Sequence, residues 1–393
     1  MRTRFALLSA LALAACGGGG GDSGPPVLGL GTLNLWLADA PACGMDKVFV
    51  TVEKVRVHTS STAGDADTGW VDITPPAPVR VDLLTLTNGT LAALGQATLP
   101  AGSYQQLRLV LAESTGANPM ANAVRPSGAT ADVALETPSG LQSGLKINAG
   151  ITVTATQRVD WAIDFDACKS IVQAGHSGRY QLKPVLQALP LLSETGQRVV
   201  GYLDAALANG AATVSVQQAG KPVRTTPTDA TGKFVLYPVP AGEYDLVLSA
   251  TGRATAVMTG VPVAATSVTT VGSDTLRLVP PTSASAEVSG TVSKGGSVAN
   301  TGGAVRALLT FNGGPNVEAG YGAADATTGR YRLTLPTGTP VRTTYLANAT
   351  AFTWTPRPSE AGKFRLEASV LGVTTPQTAD INLTGYLTKD WTF

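Results

Sequence analysis

Val48-Phe49-Val50-Thr51-Val52-Glu53-Lys54-Val55-Arg56-Val57-His58 alternates apolar and polar residues until its phase slips: Val48, Val50 and Val52 share one parity, Val55 and Val57 the other. A period of two places alternate side chains on opposite faces of a strand, and one extra residue inverts that assignment, so a β-bulge is expected near Glu53-Lys54. Upstream, Leu33, Leu35 and Leu37 alternate with Asn34 and Trp36. Further strands are expected at Trp70 to Ile73, Val79 to Leu83, Leu107 to Leu111, Val133 to Leu135, Leu145 to Ile147, Ile151 to Ala155, Val159 to Phe165 and Tyr180 to Leu186, with one short helix around Leu91 to Leu94. Many short strands separated by turn signals read as an all-β chain of tandem β-sandwich domains.

The chain has 393 residues, a length that predicts two to three domains. Its 44% apolar residues are enough for real cores, while charged residues reach only 14%, against about 25% in an average soluble protein, so the surface is expected to be neutral and hydroxyl-rich. The 28 basic and 27 acidic side chains leave a net charge of +1, and removing Arg2 and Arg4 with a leader would make it −1. Such a balance offers no electrostatic attraction to nucleic acid or anionic lipid.

The N-terminus has the layout of an export signal: Arg2 and Arg4, an apolar run from Phe5 to Leu13, then small residues before a cysteine. Phe5 to Leu13 is far short of the roughly 20 apolar residues needed to cross a bilayer. Leu13-Ala14-Ala15-Cys16 resembles the lipobox of bacterial lipoproteins. That resemblance implies a signal peptide over residues 1–15, cleavage before Cys16, lipidation of Cys16, and attachment to the membrane through that anchor. Residues 16–30, with Gly17 to Gly21, would form a flexible tether. Gly17 after the cysteine implies sorting to the outer membrane of a Gram-negative bacterium. In an oxidising compartment Cys43 and Cys168 are expected to form a disulfide, the alternative being two buried thiols.

Asp39-Ala40-Pro41, the Val50 to His58 run, Val81-Asp82-Leu83-Leu84, Leu99-Pro100-Ala101-Gly102-Ser103-Tyr104 and Leu107-Arg108-Leu109-Val110-Leu111 together resemble a bacterial lipoprotein domain of unknown function, over residues 31–190. That family implies no activity. Gln187 to Gly196 reads as a linker. Beyond it, Val199-Val200-Gly201-Tyr202, Asp229-Ala230-Thr231-Gly232-Lys233-Phe234 and Val239-Pro240-Ala241-Gly242-Glu243-Tyr244 resemble the carboxypeptidase regulatory-like domains, prealbumin-like sandwiches, over residues 197–280. Asp and Gly turn the chain into a strand at Phe234, Pro240 and Gly242 turn it again, and Tyr244, Leu246 and Leu248 form an inward face. A second, divergent module is expected over residues 286–393. Val288-Ser289-Gly290-Thr291-Val292 opens it, and Asp325-Ala326-Thr327-Thr328-Gly329-Arg330-Tyr331 stands for the first turn. The pattern departs after Thr339, with further strands expected at Thr344 to Trp354 and Phe364 to Val370.

Chemistry is sparse. Gly21-Asp22-Ser23-Gly24 looks like a protease nucleophile loop, but it lies in the tether without a base or an oxyanion hole. His58 and His176 have no second ligand at metal spacing and read as structural. Asp160, Asp164 and Asp166 share one strand face opposite Val159, Trp161, Ile163 and Phe165. Oxygen ligands suit calcium, with Asp39 as a fourth, and the alternative is a solvated face. Trp36, Trp70 and Trp354, with Trp391, fall outside the clearest apolar faces and are candidates for stacking on a glycan. The expected role is a non-catalytic surface or periplasmic binding and spacer protein with a glycan or envelope-protein partner. The alternatives are a specific carbohydrate binder and a metal-dependent enzyme on the aspartate face.

Overall fold

A computed structural model describes residues 29–40, 44–138, 143–175, 177–192 and 195–393. The chain is almost entirely β, 55% strand against 4% helix, as the alternation requires. Cys16, the leader and the Ser23 loop, Cys43 and His176 lie outside the described residues.

The first module pairs a four-stranded with a nine-stranded sheet. In the smaller sheet Leu30–Ala40 lies between Arg158–Asp166, to which it is parallel, and Ala92–Pro100. Leu33, Leu35 and Leu37, all at most 1% exposed, face Ile163 and Phe165 in one core. In the larger sheet Met45–His58 is the central strand, and its ladder to Gly102–Leu111 slips between Val52 and Lys54. That is the expected bulge, and all five valines on either side of it are fully buried.

Several elements differ from expectation. Leu91 to Leu94 forms no helix: Ala92–Pro100 is a strand, because Leu94 is drawn into the core beside Leu30–Ala40 and tertiary pairing outweighs the helix propensity of Leu and Ala. Leu145 to Ile147 and Ile151 to Ala155 are one strand, Leu145–Val153, which passes Gly150 opposite a register shift in Gly102–Leu111. Tyr180 to Leu186 is two strands, Arg179–Leu182 and Leu186–Leu191. The second of these occupies half of the expected linker, as the edge strand beside Arg158–Asp166. The end of that strand is tied to Gln197, whose fully buried side chain accepts from the Leu192 N–H (2.5 Å) and donates to the Pro190 carbonyl (2.9 Å).

The second module stacks a three-stranded sheet centred on Arg198–Tyr202 against a sheet of six strands. Phe234, Leu246 and Leu248 are fully buried and Tyr244 nearly so, as the turn motifs predict. The Tyr244 hydroxyl donates to the Pro240 carbonyl (2.8 Å), and Tyr104 in the first module repeats the bond to Pro100 (3.0 Å). Pro-Ala-Gly-x-Tyr is thus a corner used twice, the phenol tying a strand to the backbone four residues upstream. The third module has two sheets, led by Ser285–Ser293 and by Ala304–Thr310 paired with Lys363–Ser369. Gly201 of the second module and Gly290 of the third are matching close approaches: a Cβ would fall on the Phe234 ring at Gly201 and on the Lys389 carbonyl at Gly290.

The departure from pattern after Thr339 has a structural cause. Val341–Thr344 and Thr355–Pro356 leave the third module and extend the six-stranded sheet of the second, Val341–Thr344 running parallel to Ala256–Val263. The intervening residues are not a strand; Phe352 and Trp354 pack on the second core. In return, Val247 and Val257 of the second module are buried in the third core. Phe364 to Val370 is the expected strand, Lys363–Ser369.

Candidate functional site

The aspartates of Arg158–Asp166 are engaged one by one rather than gathered: Asp164 is buried, while Asp160 and Asp166 keep about a quarter of their side chains exposed. Parallel register sets Asp160 beside Asn34 and Asp164 beside Ala38 on the outer side of the sheet. Asp160 accepts from Asn34 Nδ2 (2.9 Å), Trp36 Nε1 (3.2 Å) and Arg158. Although partial burial works against it, these donors hold its carboxyl below the ordinary range. Asp164 is 4% exposed and forms an ion pair with Arg224 of the second module, while Gln187 Nε2 donates to its other oxygen (2.9 Å). Asp166 caps the helical turn Ala167–Ser170 by accepting from Lys169 N (3.0 Å), and burial pushes its carboxyl up. Asp39 is fully buried and accepts from Ala167 N (3.0 Å). Among the described residues no group of three or more His, Cys, Asp and Glu side chains could hold a metal ion. The calcium set Asp160, Asp164 and Asp166 is therefore not assembled: the second module covers part of the face, and each carboxylate has its own partners.

Arg224 sits in the edge strand Lys221–Pro227 at 2% exposure, its Nη2 donating to the Asp39 carbonyl (2.8 Å). Burial pushes its guanidinium down to about 10, against the opposing pull of the Asp39 carboxylate, so it stays charged at neutral pH. Asn88 also serves this junction: its N–H donates to Thr226 Oγ1 (3.0 Å) and its Oδ1 accepts from Val235 N (3.0 Å).

Glu318 joins all three modules. Its backbone exchanges two hydrogen bonds with the Gln217 amide of the second module (2.7 and 2.9 Å), and its carboxylate pairs with Lys169 of the first (2.7 Å). Nearby, Arg306 bridges Glu367 and the Gly220 carbonyl. The first and third modules also meet where Gly175 N donates to Asp325 Oδ2 (2.7 Å) and Ala326 N to the Gln173 carbonyl (2.9 Å).

Asp325 is the turn aspartate of the third module, as Asp229 is of the second, and both accept from N–H groups that follow them. Burial works against ionised Asp325, yet the N–H groups of Thr328, Thr327 and Gly175 and the Thr328 hydroxyl hold its carboxyl below the ordinary range. A depressed carboxyl contributes stability that is fully present above its unfolded value, about 3.9, and lost as pH falls through the lower folded value. The Gly175 contact is therefore expected to persist at pH 5 and loosen only below about pH 4. Amide exchange at Gly175 across pH checks this, and loosening already at pH 6 would contradict it.

The tryptophans are mostly engaged. Trp36 is half-buried, with its indole N–H on Asp160. Trp70 has Arg56 and Arg108 over its ring at 4.9 and 5.0 Å, His58 against it, and its N–H on the Gly64 carbonyl. Trp354 is half-buried on the second core. Trp391, read as lying outside the apolar faces, is 3% exposed in the third core and donates to Tyr331 Oη (3.1 Å). Both ring nitrogens of His58 are occupied, Nε2 by the Thr68 carbonyl and Nδ1 by Ser60 N.

Sequence reading missed a cleft of about 750 Å³ between the first and third modules. One wall comes from Ile171–Ala174, the other from Ser285–Ser293, Arg330–Pro336 and the C-terminal strands. Tyr386, 68% exposed, stands in it with its hydroxyl 2.7 Å from Ser289 Oγ. A tyrosine just before a two-residue strand carried no signal that could have singled it out.

Residues 30–184 match the model of a domain of unknown function, DUF4382, and residues 199–278 that of the carboxypeptidase regulatory-like domain. No protein with a curated description matches. Among solved structures the chain is similar to the TIE protein of Bacillus anthracis, at 12% identity and a TM-score of 0.17 over 93% of this chain, and it spans 51% of that protein's length. It is also similar to a streptococcal ancillary pilin, at 12% identity and TM-score 0.17 over 92% of this chain and 99% of that one. A third is the major pilin SpaA of Corynebacterium diphtheriae, at 12% and 0.18 over 92% and 99%. The chain thus carries a DUF4382 domain followed by a carboxypeptidase regulatory-like domain.

Proposed function

We propose that the chain is a non-catalytic cell-envelope lipoprotein, anchored through Cys16 to the outer membrane, whose three modules form one stiff unit that holds a binding surface away from the membrane. The observation that carries this reading is Glu318, bonded at once to Gln217 of the second module and Lys169 of the first. Freely jointed spacers would leave such polar groups in water. The aspartates that offered an enzyme reading support the same view, because Asp164 is spent on docking and Asp166 on a cap. The Leu13 to Cys16 stretch supports the anchor, and among the described residues no helix is long and apolar enough to cross a membrane.

Metabolic labelling with a palmitate analogue tests the anchor: the full chain is expected to take label and Cys16→Ser to lose it. Label retained by Cys16→Ser, or absent from the unaltered protein, would overturn it. Small-angle scattering tests the stiffness, with one compact profile expected at all moderate salt concentrations. A profile that needs an ensemble of module orientations would count against a rigid unit.

A further inference from the structure

The cleft between the first and third modules holds the one exposed aromatic side chain among the described residues, Tyr386. Hydrogen bonds to Ser289 and Thr388 draw its phenol below the ordinary range and fix the ring at its edge, leaving the body of the side chain 68% exposed. A pinned aromatic loses little entropy when a ligand covers it. Around it the cleft offers both kinds of polar partner. The Arg330 guanidinium and the Gln173 amide are exposed and have no side-chain hydrogen bond or ion pair among the described residues, and Arg332 is 74% exposed while it holds Glu287 at 3.2 Å. Ser289, Thr291 and Thr388 add hydroxyls.

This set discriminates among ligand classes. A nucleic acid or other polyanion needs an excess of cations, but Glu287, Asp325 and Asp390 line the same cleft as Arg330 and Arg332. A purely apolar ligand would strand these polar groups without partners. A sugar ring has an apolar face that stacks on an aromatic ring, and adjacent hydroxyls that donate and accept at once, the pattern that amide, carboxylate and guanidinium groups read. A volume of about 750 Å³ falls in the range of built ligand sites, large enough for several such rings. The walls are held in place by the Gly175 to Asp325 and Lys169 to Glu318 bonds.

We infer that this cleft binds a neutral oligosaccharide, with the Tyr386 ring as the stacking platform and Gln173, Glu287, Arg330 and Arg332 reading its hydroxyls. The inference rests on the binding-protein reading above and gives that reading its ligand class. It also moves the platform from the tryptophans to a tyrosine beyond the end of both family matches.

The test is calorimetry of the full chain against cellohexaose, maltohexaose and chitohexaose, with hexagalacturonate as the charged comparison. Saturable binding of one neutral hexasaccharide is expected, weakened about tenfold or more by Tyr386→Ala, kept by Tyr386→Trp, and unaffected by Trp36→Phe. Tyr386 is exposed, so its loss leaves the fold intact; an unchanged thermal midpoint verifies that. No binding to any neutral probe, binding of the galacturonate alone, or binding indifferent to Tyr386→Ala each overturns the inference. A blank screen on a chain that takes palmitate label and scatters as one rigid body removes the cleft proposal and leaves the anchored-spacer reading standing.

Discussion

Arg224→Met is expected to destabilise the docked molecule by about 3–5 kcal/mol, the cost of leaving one member of a buried ion pair alone. Asp164 is 4% exposed and Asp39 fully buried, so once the guanidinium is gone neither carboxylate can be hydrated without moving the modules apart. That sets a ceiling: the loss cannot exceed the free energy of docking, because separation lets water reach Asp164. Urea unfolding should therefore show either a large drop in midpoint or a new early transition, with protease access to residues 195–198. The double variant Arg224→Met with Asp164→Leu should recover much of the loss, since an apolar pair of similar volume replaces the ions. A single-variant change below about 1 kcal/mol, with no early transition, would mean that the pair is hydrated and that other contacts hold the first two modules together.

Legibility followed the range of the interaction. The bulge in Met45–His58 was readable because one extra residue shifts a parity that runs for ten positions. Asp229 and Asp325 were readable as turns because their partners lie two to four residues away. Asp164 was read correctly as pointing away from the core, yet nothing within the strand announces that Arg224, in another module, covers it. The same limit hid the second oxygen of Asp325, which reaches Gly175. The transfer of Val341–Thr344 to the neighbouring sheet left a trace only as a pattern that stopped after Thr339. Local alternation shows which way a side chain faces; what lies on that side depends on how modules dock. The glycan candidates illustrate this. Trp36 and Trp70 do leave the apolar phase, but Asp160 and a pair of arginines occupy them, and the exposed ring belongs to a tyrosine in a loop.

Those docking contacts also bear on the cysteines. Cys168 is disulfide-bonded, and it lies two residues beyond Asp166, the register partner of Ala40. Cys43 follows Ala40 by three residues, a span of at most about 11 Å of chain, so the proposed pairing with Cys168 needs no long excursion. Asp39, which accepts from Ala167 N, clamps the same corner from inside. A bond between residues 125 apart in sequence would remove much of the freedom of the unfolded chain, worth up to ~5 kcal/mol in the chain-entropy model. Cys168→Ser and Cys43→Ser are each expected to lower the urea midpoint of the first module by a comparable amount. Reductant should reproduce the loss in the unaltered protein and add nothing to either variant. Intact mass after alkylation without reductant should show no modified thiol at either position. Two alkylated cysteines, or a Cys43→Ser variant as stable as its parent, would sink the pairing; equal losses in both variants would place the covalent clasp at the corner where Asp39 meets Ala167, beside the surface on which Arg224 docks.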